Sequence, residues 1–191
     1  HLHLGALSSK MDMLFELVEN YEFPIQHISP THVGRTLELF EQAIIFAKMG
    51  GMIDITTGAS KYTDPYKSVL HALDSGASID NLTFSSDGNA GLDKLDENNN
   101  LIGFKSAPFD KNLEEVINLH LKGGVSFEES IKIITSNPAK NLGLKTKGHI
   151  RKNYDADICF FDTNYNLQTV IAKGKFMMKN EKLIQKGSFE K

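Results

Sequence analysis

From Leu2 to Asn141 the apolar positions of the chain switch back and forth between two rhythms. Leu2 to Leu4 reads as the end of a strand. Met11 to Glu19 carries Met11, Leu14, Phe15 and Val18 at helical spacing, which predicts an amphipathic helix. Pro24 to Ile28 reads as a short strand running into Ser29-Pro30-Thr31-His32. From Thr36 to Lys48, Leu37, Phe40, Ile44 and Ala47 share one helical face, and Gly50-Gly51 stops the helix. Met52 to Thr56 is rich in β-branched residues and predicts a strand. Pro65 suits the first turn of the next helix, which turns Val69, Leu70 and Leu73 inward and ends at Gly76. Leu82 to Ser85 is the next strand. Strands alternating with helices imply parallel βα units. A barrel segment and an open doubly wound sheet both satisfy that pattern.

Beyond Ser85 the texture changes. Gly88 to Pro108 reads as a long polar loop, with Asp93, Asp96, Glu97 and three successive asparagines, and loops of that length are usually functional or mobile. Helices are expected over 113–122 and 127–135, followed by a short segment, Pro138 to Leu142, ending at Gly143. From Gly148 the pattern is β throughout. Strands are expected at 156–162 and 167–172, then at 176–178 and 183–184 after tight turns at Lys173-Gly174 and Asn180-Glu181. Such a meander is too small to hold a core alone, so it must pack against something supplied elsewhere.

Composition narrows the class. The 191 residues are 40% hydrophobic and 24% charged, with a net charge of −3. That is globular, and it gives no reason to expect a nucleic-acid partner or a membrane surface. No run of ~20 apolar residues could span a bilayer. No signal peptide is read, and a cytoplasmic protein is expected. Cys159, the single cysteine, lies in the apolar run Ile158 to Phe161 and is expected to be a buried, inert thiol. The chain opens on residues that already look like the tail of a strand, so further residues are expected upstream.

Three residues capable of chemistry recur at one structural place, the C-terminal end of a predicted parallel strand. They are His3, His32 and Asp87. In βα folds the loops at that end converge on the active site. Two imidazoles and a carboxylate suit zinc, and a carboxylate beside a metal can take a proton from water. Arg35, three residues after His32, sits where a helix begins and could clamp a carboxylate through paired hydrogen bonds, or could simply be solvated. The remaining histidines, His27 in a strand, His71 and His120 on helices and His149 near the β region, read more simply as core or surface residues. Ser85 and Ser86 lack the flanking glycines of a nucleophile elbow.

With those residues in view, the sequence resembles the isoaspartyl dipeptidases of the amidohydrolase superfamily. The matching stretches are Pro30 to Arg35, Gly50 to Thr57 and Ser85 to Asn89, and the ending from Ala156 to Lys175 is similar to the family's closing β segment. The resemblance implies an α/β fold in which residues 1–146 form strands five to eight of a (β/α)8 barrel and 147–191 contribute strands to a small β-sandwich. It implies that His3 and His32 bind zinc from strands five and six. Asp87, on strand eight, would touch the second zinc and act as general base, and Arg35 would grip a carboxylate of a β-aspartyl dipeptide. Where the family tends to carry a serine after that aspartate, this chain reads Gly88-Asn89-Ala90-Gly91, so Asn89 or a backbone amide would help hold substrate. Two zinc ions per complete site are implied, with their other ligands upstream and His1 only a neighbour. These residues alone are expected to be inactive, and the whole protein is expected to be a homo-oligomer. Alternatives are a dihydropyrimidinase-like or N-acyl-amino-acid deacetylase-like activity on the same scaffold, or a non-catalytic barrel relative.

Overall fold

A computed structural model of the chain describes residues 1–5, 7–58 and 61–187. Its centre is a sheet of four parallel strands in sequence order: β1 (Leu2–His3), β2 (Pro30–Thr31), β3 (Ile53–Thr56) and β4 (Leu82–Ser85). The crossovers are helices α1 (Asp12–Asn20), α2 (Leu37–Lys48) and α3 (Pro65–Asp74). Sequential parallel order with a helix between neighbours is the βα arrangement that the alternating rhythms predict, and it makes the chain α/β.

Strand β3 is buried at every position, as expected for a parallel strand covered on both faces. Its Ile53 and Ile55 pack with Phe40, Phe46, Leu82 and Val116 in one core. The Thr36 hydroxyl accepts the backbone N–H of Leu39 (3.2 Å), capping the start of α2. Gly50 ends that helix in the left-handed region (φ 96°), where a residue without Cβ carries no steric cost.

Several expectations need correction. Ile25–His27 is a turn of 3₁₀ helix, and the strand begins only at Pro30. The backbone bonds of this segment close on themselves, His27 N–H to the Pro24 carbonyl (2.9 Å) and Ile28 N–H to the Ile25 carbonyl (3.1 Å), and His27 is exposed on that turn. The expected loop after β4 instead holds a hairpin, β5 (Gly91–Leu95) with β6 (Leu101–Ser106). The Asp96 carboxylate accepts the backbone N–H groups of Asn98 (2.9 Å) and Asn100 (2.8 Å), so the asparagine run is the hairpin's turn. Helices α4 (Lys111–Leu121), α5 (Phe127–Lys132) and α6 (Ser136–Asn141) follow, α5 stopping short of Thr135.

The remainder is an antiparallel sheet, β7 (Ile158–Phe161), β8 (Leu167–Ala172), β9 (Lys175–Lys179) and β10 (Lys182–Leu183), in meander order. It meets the helices through aromatic rings. The His120 ring joins the Val125 carbonyl (2.8 Å) and the Tyr165 hydroxyl (2.7 Å), and Phe127 lies against Phe161 and Tyr165. Cys159 is exposed on β7 rather than buried; what contact it has pushes its thiol pKa up. No helix among the described residues is long and apolar enough to cross a membrane.

Candidate functional site

The C-terminal ends of β1 and β2 bring His3 and His32 together. Nδ1 of His3 lies 2.8 Å from Nε2 of His32, with ring centroids 4.8 Å apart. The parallel pairing of His3 with Thr31 sets this contact, because it leaves His32 one residue beyond its partner strand's end. His32 is buried and takes a left-handed backbone conformation (φ 64°), which turns the chain sharply out of the sheet. Its other ring nitrogen, Nδ1, is 2.7 Å from the Thr56 hydroxyl on β3.

Asp87, two residues beyond β4, is also left-handed (φ 52°), as is Asn89 (φ 66°). Left-handed non-glycine residues cost on the order of 1 kcal/mol each, and histidine, aspartate and asparagine are among those that adopt the conformation most readily. Asp87 is half-buried, and Asn89 is exposed. Burial is the largest influence on His32 and pushes its pKa down. The Arg35 charge adds to that effect, while the Asp87 carboxylate opposes it. Both charged groups therefore lie within electrostatic reach of His32. Arg35 is partly buried, and its buried Nε has no hydrogen-bond partner, so the guanidinium retains one unpaired donor.

Below this layer is a polar cluster whose roles sequence reasoning left unassigned. Asp54, in the middle of β3, is buried and accepts hydrogen bonds from Thr31 (2.5 Å), Ser85 (2.5 Å) and Thr83 (2.8 Å). Burial raises its pKa, and the three hydroxyls pull against that rise. The available signal was the alternation Asp54-Ile55-Thr56, which puts two polar side chains on one face of an otherwise apolar strand. Gly58 is a second omission. A Cβ there would run into the Ser86 carbonyl oxygen, so only glycine lets this loop lie against the one bearing Asp87.

The donor set suits a metal in part. Two ring nitrogens bound to one tetrahedral zinc at their usual bond lengths sit about 3.3 Å apart, so the histidine pair would open by roughly half an ångström. A depressed His32 pKa keeps that ring neutral, as a ligand must be. No group of three or more His, Cys, Asp or Glu side chains among the described residues is already in ligating geometry.

Comparison with known proteins decides the family. Residues 13–187 match the model of the amidohydrolase family. The chain belongs to it. Among solved amidohydrolase relatives, the β-aspartyl dipeptidase of the thermophilic, keratin-degrading Fervidobacterium islandicum AW-1 in complex with β-Asp-Leu is 36% identical, with a TM-score of 0.85 over 98% of this chain and 50% of that one. A second structure described as that dipeptidase gives 33% identity and a TM-score of 0.81, over 98% of this chain and 47% of the other. The chain thus spans about half the length of these structures. Over 80 residues, 42% of this chain and 14% of the other, it is also 29% identical to an adenine deaminase of Methanothrix thermoacetophila.

Proposed function

We propose that these residues form one half of a zinc-dependent β-aspartyl dipeptidase, folded as the second half of a (β/α)8 barrel, residues 1–146, with part of a β-sandwich in 147–191. What carries the reading is the likeness, along nearly the whole chain, to a dipeptidase in complex with β-Asp-Leu. The close approach of His3 and His32, with the Arg35 and Asp87 charges felt at His32, supports it.

On this reading His3 and His32 hold one zinc through their facing nitrogens, and Asp87 contacts the second. Zinc bound there supplies Lewis acidity, polarising an amide carbonyl and acidifying water. Asp87 takes the proton from the attacking water and delivers it to the leaving amine. The Arg35 guanidinium pairs with a substrate carboxylate, fixing the dipeptide so that the side-chain amide, rather than a main-chain one, meets the water. Asn89, exposed at the rim, offers an amide to the same substrate.

The reading assigns the remaining ligands to the part of the protein outside these residues. The 191-residue chain alone is therefore expected to hold zinc weakly and to hydrolyse nothing. A titration showing two tightly bound ions contradicts that assignment. For the full-length protein, chelation should abolish release of aspartate and leucine from β-Asp-Leu, and added zinc should restore it. Zinc-loaded protein that leaves β-Asp-Leu intact overturns the proposed activity.

A further inference from the structure

Strand β3 supplies none of the groups assigned a chemical role, yet both of its inward polar side chains reach the flanking strands. Thr56 Oγ1 lies 2.7 Å from His32 Nδ1, and the Thr56 side chain is buried. Two residues earlier on the same face, Asp54 gathers the hydroxyls of Thr31 from β2 and of Thr83 and Ser85 from β4. Thr31 immediately precedes His32, and Ser85 lies two residues before Asp87. The carboxylate therefore ties β3 to both strands that lead into the site and fixes where Thr56 stands.

We infer that Thr56 is a positioning residue that holds His32 with Nδ1 protonated and Nε2 bare toward His3. This rests on reading His32 as a metal ligand, and it names what prepares that ligand. A neutral imidazole carries one N–H, and which nitrogen bears it is set by the partner the other nitrogen finds. The nitrogen of His32 that faces His3 is Nε2, at 2.8 Å. A lone pair on Nε2 requires the proton on Nδ1, and the Thr56 oxygen is the acceptor there. Without that oxygen, Nδ1–H would be left unpaired in a buried position, and the ring would instead carry its proton on Nε2 and donate it to His3. That tautomer blocks the nitrogen facing His3. Asp54 acts one layer down, by keeping the Thr56 backbone in register with His32.

The test uses the full-length protein with Thr56→Val, which keeps the shape and removes the hydroxyl, and Thr56→Ser, which keeps the hydroxyl. Histidine-selective ¹⁵N spectra of the metal-free protein read the tautomer directly, and chelator competition reads zinc affinity. The inference expects Nδ1–H at His32 in wild type and Thr56→Ser, Nε2–H in Thr56→Val, and zinc affinity about 10- to 100-fold weaker in Thr56→Val alone. A Thr56→Val protein with the wild-type tautomer and affinity overturns it, as does wild type with Nε2–H. Wild type that shows Nδ1–H, loses it in Thr56→Val and yet binds no zinc upholds the positioning of His32 while overturning the metal reading.

Discussion

Strand β3, Ile53-Asp54-Ile55-Thr56, is buried at every position, whereas β7, Ile158-Cys159-Phe160-Phe161, is buried at none. By composition β7 is the more apolar of the two. The difference comes from what surrounds them. β3 lies between two parallel neighbours with helices packed over the sheet, while β7 is met by helices loosely enough to leave a groove of about 710 Å³ lined by Phe127, Ile131, Ile134, Leu142, Ile158 and Leu167. No described residue beyond Asn141 is buried. A run of hydrophobic residues therefore specifies a strand in both places, but only topology decides whether the strand has a core. The polar residues invert in parallel. Asp54 and Thr56 are enclosed in the buried sheet and hydrogen-bonded to the flanking strands, and the antiparallel sheet keeps its charges at the rim, as where Lys147 pairs with Asp155 (3.0 Å) and Asp157.

This contrast can be broken deliberately. The largest effect is expected above the buried sheet: in the full-length protein, if it has the proposed activity, Asp87→Asn should lower kcat on β-Asp-Leu by about 10³-fold, while the melting temperature barely moves. Steady-state kinetics beside a thermal melt separates the two. Next comes packing. Phe40→Ala empties a fully buried site and should cost about 3–5 kcal/mol in denaturant unfolding, whereas Phe160→Ala on β7, half exposed, should cost under ~1 kcal/mol. Equal losses would mean that β7 is covered as completely as the core that α2 builds over β3. Gly58→Ala should destabilise by about 1–3 kcal/mol through its clash with the Ser86 carbonyl, and it should also depress kcat, because the displaced backbone leads to Asp87. The smallest effect belongs to the junction of the two regions. Tyr165→Phe removes the 2.7 Å bond to His120 and should cost about 1 kcal/mol, read as faster hydrogen exchange in β7 and β8.

The sequence made the buried region legible because two periodicities constrain each other there. Helical spacing in α2 and β-branched runs in β3 and β4 leave few ways to fold, and they put His3, His32 and Asp87 at strand ends. The hairpin of β5 and β6 was unreadable because its apolar residues, Leu101, Ile102 and Phe104 among them, are exposed and follow no alternation, with Gly103 and the Asp96-centred turn interrupting the run. Ile25–His27 looked like a strand because apolar content there reflects burial of Ile25, and its flanking prolines were the better guide. In the site, histidines, a carboxylate and an arginine announce their chemistry by residue type. Thr56, Asp54 and Gly58 act through what they touch, and a threonine or glycine carries that information only once its neighbour is known. Cys159 stands exposed because an apolar run specifies a strand, here correctly expected, without specifying a layer to cover it.

The most direct test of the central claim is kcat/KM of the zinc-loaded full-length protein on β-Asp-Leu and on α-Asp-Leu, measured side by side. The account predicts rapid cleavage of the β-linked peptide and little of the α-linked one, with the preference collapsing in Arg35→Ala. Equal cleavage of both, or of neither with zinc bound, would contradict it.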